Sequence, residues 1–433
     1  MRYSLPWGKE RLPLVLPSGW KVAGYLESAV IPPVRDAENE VVESLSRPVG
    51  SAPLISLYRP GMKVALVIDD SSRPTPVELL FPPVLRELSR AGLDMPDLTL
   101  IPALGVHRAM TAEELARRIG RPDLDGLSWE NLDCDDLSRM VYLGTTRRGT
   151  PVWVNRTVAM ADLVVTLGCI KPHIIASFGG GYKALVPGVA GRATIAHNHT
   201  INCQPETFNM VGQPIERNPM RQDLEEAGQM IKGKVFIVNA VVDSALKIVR
   251  VVAGDPIAAH REGVKTCMAL YGVSIQEQAD VVIVGSHPMD QDLRQGVTAL
   301  ANSIRAVKPG GVMITVIKAD EGVGVFGLAN QKLPIGQRGL RRLAPLLVRL
   351  VPRIKLNGMG EEDRFFLYFA LQAMRRADLR LVAPTIPIVV KEHLPFATFD
   401  EDLPAAIQQA RRRYPKTASV LIFPHGGTTY PNI

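Results

Sequence analysis

Short apolar runs rich in β-branched residues recur along this 433-residue chain, and a polar or glycine-containing loop and a helical pattern follow them. Lys63–Ile68, Asp97–Ile101 and Ala161–Leu167 are such runs in the first half, and 279–285 and 312–317 repeat them in the second. Runs of this length are typical of strands buried on both faces of a parallel sheet. The pattern therefore predicts an α/β fold with two α/β domains and mainly parallel sheets.

Other segments supply the remaining elements of this fold. Thr111-Ala-Glu-Glu114 is a capping box that should begin a helix. Two closely spaced apolar runs, 235–241 and 248–252, predict a hairpin. Helices are predicted over 77–91, 256–271 and 293–307, and further strands over 379–382, 386–390 and 418–423.

The second α/β pattern starts after Gly272, which predicts a domain boundary there. We expect a first domain over 1–272, a second over 273–415, and a C-terminal segment, 416–433, that returns to the first domain. Residues 320–360 are rich in Gly and Arg and are predicted to form a mobile cover.

The composition excludes several classes of protein. The net charge is +7, but no basic tract is longer than Arg411–Arg413, which disfavours nucleic-acid binding and suits an anionic small substrate. The four cysteines form no CxxC pair, as expected for reduced thiols in a cytoplasmic protein; Cys169 is either a packing residue or part of a site. No apolar run is long enough to span a membrane, and Pro345 and Pro352 favour a surface helical segment over a membrane-lying helix at 340–355.

Residues that could take part in catalysis or binding follow three of the predicted strands. Asp70 and Arg73 come after the first strand, in Asp70-Ser-Ser-Arg73-Pro-Thr-Pro76. His107 follows the second strand, and His173 follows the third. Open parallel sheets bind ligands outside the carboxyl ends of their strands, so these side chains are candidates for a site. The alternatives are a capped helix start for the first loop and a solvated histidine for the second.

A glycine-rich loop continues from His173 through Gly179-Gly-Gly181 to Lys183, with His197 and His199 shortly after. Glycines allow close backbone approach to a cofactor, and a lysine can hold a phosphate or bond covalently. The loop is neither a Walker motif nor GxGxxG, and HExxH is absent. A zinc site made purely of protein ligands is therefore poorly supported.

Together these blocks resemble the nickel-pincer lactate racemase family, most strongly from Asp70 to His199. The family's D-x-x-R-P-x-P matches Asp70 to Pro76, and its G-x-H-R matches Gly105 to Arg108. Its P-H, with a lysine ten residues on, matches Pro172-His173 and Lys183, and a histidine sixteen residues later matches His199.

The resemblance implies a nickel-pincer nucleotide, a pyridinium-3-thioamide-5-thiocarboxylic acid mononucleotide that holds Ni. It implies that Lys183 contacts or tethers this cofactor and that His199 is a nickel ligand. Asp70, Gly179, Gly180 and Gly181 would complete the cofactor site in the first domain. The second domain would close over the substrate, with the active site in the cleft between them, and cofactor-biosynthesis proteins are implied as partners.

The implied reaction is racemisation or epimerisation of a 2-hydroxy acid. His107 and His173 would be opposed bases for the hydroxyl proton, while Arg73 orients the carboxylate. The segment that would bind substrate departs from the lactate form: Arg294 replaces a tyrosine, Thr298 replaces a lysine, and only Gln295 is retained. The family's active-site tryptophan has no clear counterpart, and Phe365 is the candidate for its place.

These departures predict a substrate other than lactate, such as a hydroxy diacid or a sugar acid. One alternative is a redox or lyase activity on a hydroxy acid with the same cofactor. The other is a non-catalytic carrier of the nickel nucleotide, although a carrier would need neither His107 nor His173. For Arg294, the alternative to substrate binding is exposure to solvent or pairing with Asp290 or Asp292.

Overall fold

The computed structural model describes residues 3–324, 326–330, 332–353 and 361–432, with the backbone alone at 361 and 362. Its strands, in chain order, are β1 Tyr3–Trp7, β2 Glu10–Leu14, β3 Trp20–Tyr25, β4 Val64–Asp69, β5 Leu98–Ala103, β6 Ser128–Trp129, β7 Met140–Thr145, β8 Pro151–Asn155, β9 Leu163–Cys169, β10 Pro172–His173, β11 Ser177–Phe178, β12 Lys234–Val242, β13 Ile248–Gly254, β14 Gly272–Ser274, β15 Ala279–Gly285, β16 Val307–Val316, β17 Asp378–Val382, β18 Thr398–Asp400, β19 Ala418–Phe423 and β20 Tyr430–Asn432.

The α-helices of the described residues are α1 Ala37–Ser46, α2 Leu54–Leu57, α3 Val77–Arg90, α4 Ala112–Arg118, α5 Arg156–Met160, α6 Arg192–Thr200, α7 Pro219–Gln229, α8 Ala258–Tyr271, α9 Leu293–Ser303, α10 Gln337–Leu350, α11 Glu361–Arg376, α12 Ile388–His393 and α13 Leu403–Arg413.

Contacts divide the chain into two compact units. The first unit consists of Val30–Ile201 and Pro214–Leu270. The second unit consists of Met1–Ala29, Asn202–Gln213 and Tyr271–Ile433.

The first unit is built on a six-stranded sheet with the order β13-β12-β9-β4-β5-β6. All neighbours are parallel except β12 and β13. The apolar runs of β4 and β9 are almost fully buried, as expected for strands covered on both faces. Because the chain passes from β4 to β5 on one side and later adds β9 on the other, the strand order reverses between β4 and β9.

The second unit contains an all-parallel six-stranded sheet with the order β18-β17-β16-β15-β19-β3. Here the strand order reverses between β15 and β19. Its apolar core includes Val281 and Ile283 of β15, Ile314 of β16 and Ile422 of β19. Each sheet thus has a switch point of the kind at which open α/β sheets bind ligands.

Most sequence-based predictions of the elements are confirmed. The fold is α/β with mainly parallel sheets, and the 235–241 and 248–252 runs pair as the antiparallel strands β12 and β13. The capping box forms, because the Thr111 hydroxyl accepts from the Glu114 N–H and the Glu114 carboxylate accepts from the Thr111 N–H.

Three predictions are wrong. Residues 1–29 do not belong with the first domain, because β3 pairs in parallel with β19 and completes the second sheet. For the same reason the C-terminal segment 416–433 stays with the second unit instead of returning to the first. The predicted strand at 386–390 is largely the helix α12, which begins directly after Pro387. Proline lacks an N–H and has a helix-compatible φ, so it favours a helix start at this point.

The basic segment at 340–355 forms most of α10, which continues through Pro345. Part of the predicted mobile cover, at 325, 331 and 354–360, lies outside the described residues. No helix in the described ranges is long and apolar enough to cross a membrane. All four cysteines are buried free thiols.

Candidate active site

The three predicted loops follow neighbouring parallel strands of the first unit. Asp70 follows β4, His107 follows β5 by four residues, and His173 lies in β10, just after β9. Since β9, β4 and β5 are adjacent and parallel, these loops emerge at one edge of the sheet and flank its switch point.

Asp70 and His107 form a direct pair. The His107 Nδ1 lies 2.6 Å from Asp70 Oδ2, and the Ser72 hydroxyl donates to Asp70 Oδ1 at 2.6 Å. Burial alone would raise the pKa of Asp70, but the hydrogen bonds from His107 and Ser72 outweigh it and lower that pKa. An ionised carboxylate accepts the proton that His107 carries on Nδ1, which leaves the Nε2 lone pair of a neutral ring free to take a proton.

Arg73 is held by its backbone and presents a free guanidinium. Its N–H donates to Asp70 O at 3.2 Å, and its carbonyl accepts from Arg118 Nη2 at 2.9 Å. Arg118 also donates through Nε to Asp69 O at 3.1 Å. Within the described residues the Arg73 guanidinium has no hydrogen-bond or ion-pair partner, so it can bind a carboxylate with paired hydrogen bonds.

The hydrogen bonds of His173 select the opposite tautomer to that of His107. Its Nδ1 accepts the backbone N–H groups of Ile175 and Ala176, each at 3.2 Å, in a tight hairpin closed by β10 and β11. A neutral ring in this arrangement carries its proton on Nε2. Burial, with the nearby charges of Lys183 and Arg73, holds the pKa of His173 well below its ordinary value. His173 therefore offers an N–H donor, whereas His107 offers a lone pair.

Lys183 lies in a short 3₁₀ turn at the end of the glycine-rich loop. Burial and then the positive charge of Arg73 lower its pKa to about 7. Gly180 and Gly181 have φ of 77° and 65°, in the left-handed region, and a Cβ at Gly180 would lie 2.6 Å from Asn239 Oδ1. The glycines thus permit the close packing that brings the Lys183 amine to this edge of the sheet.

His199 lies in α6, and its Nδ1 is 2.8 Å from the carbonyl of Ile195. A carbonyl can only accept, so the neutral ring has its proton on Nδ1, which is the tautomer that ligates a metal through Nε2. The neighbouring His197 is engaged instead with Thr150, at 2.8 Å from Nδ1 to the hydroxyl. Among the described residues no group of three or more His, Cys, Asp or Glu side chains could hold a metal ion. A metal at His199 would thus need ligands from a cofactor.

Sequence reasoning missed Lys171, a second lysine at this edge, whose pKa is lowered mainly by burial. The alternating pattern of Cys169, Lys171 and His173 was a usable signal for it. Cys169 itself is buried, and burial raises the pKa of its thiol, as expected for a packing residue.

The predicted substrate residues of the second unit lie on α9. Asp292 caps this helix by accepting from the Gln295 N–H at 2.7 Å and from the Gln295 side-chain amide at 3.0 Å. The Arg294 guanidinium lies 4.1 Å from the centre of the Phe366 ring. Phe365 is fully buried, and Thr298 is half-buried on the same helix as Arg294.

The second unit also holds a histidine pair that sequence reasoning missed. His287 follows β15 and His425 follows β19, and their ring centres are 5.5 Å apart. Asp290 lies 3.6 Å from His287. Both histidines come directly after the two strands that flank the switch point of this sheet, which was the available signal.

Comparison with known proteins gives the family of this chain. Residues 7–209 match the family model described as the lactate racemase N-terminal domain. The chain is 30% identical over 327 residues to a lactate racemase of Thermoanaerobacterium thermosaccharolyticum, covering 75% of this chain and 76% of that protein. It is 33% identical over 298 residues to a lactate racemase of Lactiplantibacillus plantarum, covering 67% of this chain and 68% of that protein.

Solved structures show the same fold. The lactate racemase apoprotein of Thermoanaerobacterium thermosaccharolyticum superposes with a TM-score of 0.86 at 24% identity, covering 100% of both chains. A protein of Thermotoga maritima gives a TM-score of 0.64 at 17% identity, covering 91% of this chain and 98% of the other. On the identity and coverage of its sequence relatives, this chain belongs to the lactate racemase family, a family of isomerases.

Proposed function

We propose that this protein is a nickel-pincer-nucleotide-dependent racemase or epimerase of a 2-hydroxy acid other than lactate. The observation that carries the proposal is the fixed, opposite state of two histidines at one sheet edge. His107 is held by Asp70 with its Nε2 lone pair free, and His173 is held by backbone N–H groups with its Nε2 proton available. Inverting a carbinol centre by way of a keto acid requires a base for the hydroxyl proton and a hydrogen-bond donor for the oxygen that loses it.

The residues present fit the proposed cofactor. His199 has the tautomer that ligates a metal through Nε2, and square-planar Ni(II) accepts imidazole together with soft sulfur ligands. Lys183, with a pKa of about 7, can supply a neutral amine for a tether or a cation for the nucleotide. Asp70 and the loop Gly179–Gly181 complete the proposed binding site. When bound, the cofactor would supply the acceptor and later the donor of the hydrogen on the substrate carbon.

The protein's own residues would bind the substrate and move the hydroxyl proton. Arg73 would bind the carboxylate and fix the orientation of the carbinol carbon. His107 would take the hydroxyl proton on Nε2, and the Asp70 carboxylate would stabilise the imidazolium that forms. His173 would donate a hydrogen bond from Nε2 to the substrate oxygen on the opposite side.

The reverse direction requires the two histidines to exchange roles. A neutral His173 can accept a proton at Nε2 only if its own proton moves to Nδ1, where two backbone N–H groups now donate. His107 needs no such change before it accepts a proton. We therefore infer that the resting site has His107 as its prepared base, and that His173 becomes a base only after the 173–176 turn rearranges.

The proposal of a substrate other than lactate is supported by the second unit. Arg294 and Thr298 stand where the lactate form of the family has tyrosine and lysine, and the Arg294 guanidinium is positioned over Phe366. A guanidinium held on an aromatic face can recognise a second anionic or polar group.

The test uses protein made in a host that synthesises the cofactor. A panel of enantiopure 2-hydroxy acids, including lactate, hydroxy diacids and sugar acids, is incubated and analysed by chiral chromatography. We expect inversion of a larger or more polar acid, with solvent deuterium kept out of the carbon position. Rapid deuterium entry at carbon would contradict transfer of that hydrogen to the cofactor. Net oxidation or elimination would indicate a redox enzyme or lyase, and binding without turnover would indicate a carrier.

A further inference from the structure

The carbonyl groups of the glycine-rich loop are held by buried side chains that the proposed reaction does not use. Arg221, in α7, donates from Nη1 to the carbonyls of Phe178 and Gly180, at 3.2 and 3.1 Å. His260, in α8, lies with Nε2 2.8 Å from the carbonyl between them, that of Gly179. Three consecutive carbonyls are thus bound from helices distant in sequence, which fixes the path of the chain leading to Lys183.

The groups that hold these carbonyls are themselves fixed. Arg221 is fully buried and donates from Nε to Glu225 at 2.7 Å. Arg261 binds the same carboxylate through two nitrogens, each at 2.8 Å, and also lies 3.1 Å from His260 Nδ1. Because Arg261 can only donate, His260 must carry its proton on Nε2, where it bonds to Gly179. Burial and the charges of Arg221 and Arg261 hold the pKa of His260 well below its ordinary value, so this ring stays neutral.

Arg221 also lies against the loop at its tightest point. A Cβ on Gly181 would be 2.5 Å from Arg221 Nη2, so the guanidinium occupies the space beside that residue. Arg221 Nη2 has no hydrogen-bond partner among the described atoms. Among the described residues, Arg221 is paired with one carboxylate, that of Glu225, which Arg261 shares. The positive charge of Arg221 thus lies against Gly181, two residues before Lys183.

We propose that Arg221 is a positioning residue for Lys183: it shapes the glycine-rich loop through the loop carbonyls and places a buried cation beside the Lys183 amine. The importance of this amine rests on the proposed function, but the arrangement itself exists without cofactor. The titratable and charged groups that face Lys183 are Asp69 at the end of β4, Arg73 and Lys171 in the loops after β4 and β9, His173 in β10, and Arg221 from α7. Of these groups, the Arg221 side chain donates to the loop carbonyls.

The experiment measures Lys183 directly in the cofactor-free protein. Trace acylation with acetic anhydride at a series of pH values, read by peptide mass spectrometry, gives the fraction of each lysine that is deprotonated. Hydrogen exchange of the 173–184 peptide reports the order of the loop. The variants are Arg221→Met, which removes the charge and the donors, and Arg221→Lys, which keeps the charge but not the planar fork. Arg376→Met is the matched control, because Arg376 donates to the carbonyls of residues 304, 305 and 307 in the second unit.

In the parent protein we expect Lys183 to be acylated with a midpoint near pH 7. Arg221→Met should raise that midpoint by about one unit, roughly a tenfold loss of labelling at pH 7, and should speed exchange of 173–184. Arg221→Lys should speed exchange with a smaller change in midpoint. The control should change neither reading, even if its Tm falls. A folded Arg221→Met protein with unchanged labelling and exchange would overturn the proposal.

If Arg221→Met does not fold, Arg221→Lys decides the question alone, because unchanged exchange of 173–184 in that variant would also refute the role. Neither reading depends on nickel or on turnover. A protein that fails to racemise any hydroxy acid would still give the expected labelling, so failure of the proposed function can be told apart from failure of this inference.

Discussion

The carboxyl edges of the two sheets hold their charged side chains in different ways. At the edge of the first sheet, Asp70 binds His107 directly, and burial together with the guanidinium of Arg73 lowers the pKa of the Lys183 amine. At the edge of the second sheet, Asp292 and Gln295 cap α9, and Arg294 rests on an aromatic ring.

The difference indicates that the two sheet edges have different roles. When charged side chains interact closely, substituting one of them alters the protonation of its neighbours. Groups that cap a helix or lie on a ring can be exchanged with local consequences only. The carboxyl edge of the first sheet is therefore suited to a reaction that stays the same. The carboxyl edge of the second sheet is suited to substrate recognition that can vary between relatives. The following predictions test this contrast, from the largest expected effect to the smallest.

The largest effect is expected from the proposed nickel ligand. His199→Ala should abolish nickel retention in protein made with the cofactor, because His199 has the Nε2 lone pair that a metal needs. Nickel per protein and visible absorbance measure the loss. His197→Ala is the matched control, since His197 is bonded to Thr150 and should not be required for nickel. Stoichiometric nickel with unchanged absorbance in His199→Ala would disprove the assignment.

The two histidines should both be needed for turnover, but not equally. His107→Ala should lower kcat by about 10²–10⁴-fold, the usual range for a proton-transfer group. Asp70→Asn should give a related loss, because an amide cannot stabilise the imidazolium and can favour the wrong tautomer. His173→Ala should cost less than His107→Ala, and each variant should lose kcat/KM equally for both enantiomers, because the equilibrium constant of the racemisation is unchanged. Racemisation rates measured from each enantiomer test this, and an equal loss in the two variants would contradict the resting states inferred here.

At the second edge, Arg294→Ala should change the order of preferred substrates while leaving nickel binding intact. The expected loss for the best polar substrate is about tenfold, the value of one polar contact of roughly 1.4 kcal/mol. Steady-state kcat/KM across the 2-hydroxy acid panel measures it. An unchanged order of preference would mean that Arg294 does not contribute to the choice of substrate.

The smallest effect concerns stability. Lys183 has a folded-state pKa of about 7, below its ordinary value of 10.5, so the unfolded chain binds more protons between those values. The stability of the cofactor-free protein should therefore rise with pH across that window. Lys183→Met should raise Tm by a few degrees at pH 7, and this gain should shrink as the pH approaches 10.5. A gain independent of pH would show that the charge is not its cause.

Much of the site at the carboxyl edge of the first sheet could be predicted from the sequence, because the sequence patterns that indicate it are local. A short continuous apolar run such as Ala161–Leu167 indicates a buried strand. A loop that follows a parallel strand must then emerge at the carboxyl edge of the sheet. The spacings that join Asp70, His107, His173, Lys183 and His199 were sufficient to suggest the family, which the relatives then confirmed.

Only the tertiary structure decided which residues share a sheet and which tautomer each histidine adopts. Residues of β3 and β19 pair although they lie almost at opposite ends of the chain, and no local period encodes such a partner. His107 and His173 are the same residue type after similar strands, yet a carboxylate faces one Nδ1 and backbone N–H groups face the other. Arg221 looked like an ordinary helical residue until its contacts with Phe178 and Gly180 were known. Sequence patterns report periodicity and neighbours along the chain, whereas protonation depends on the groups that folding brings near.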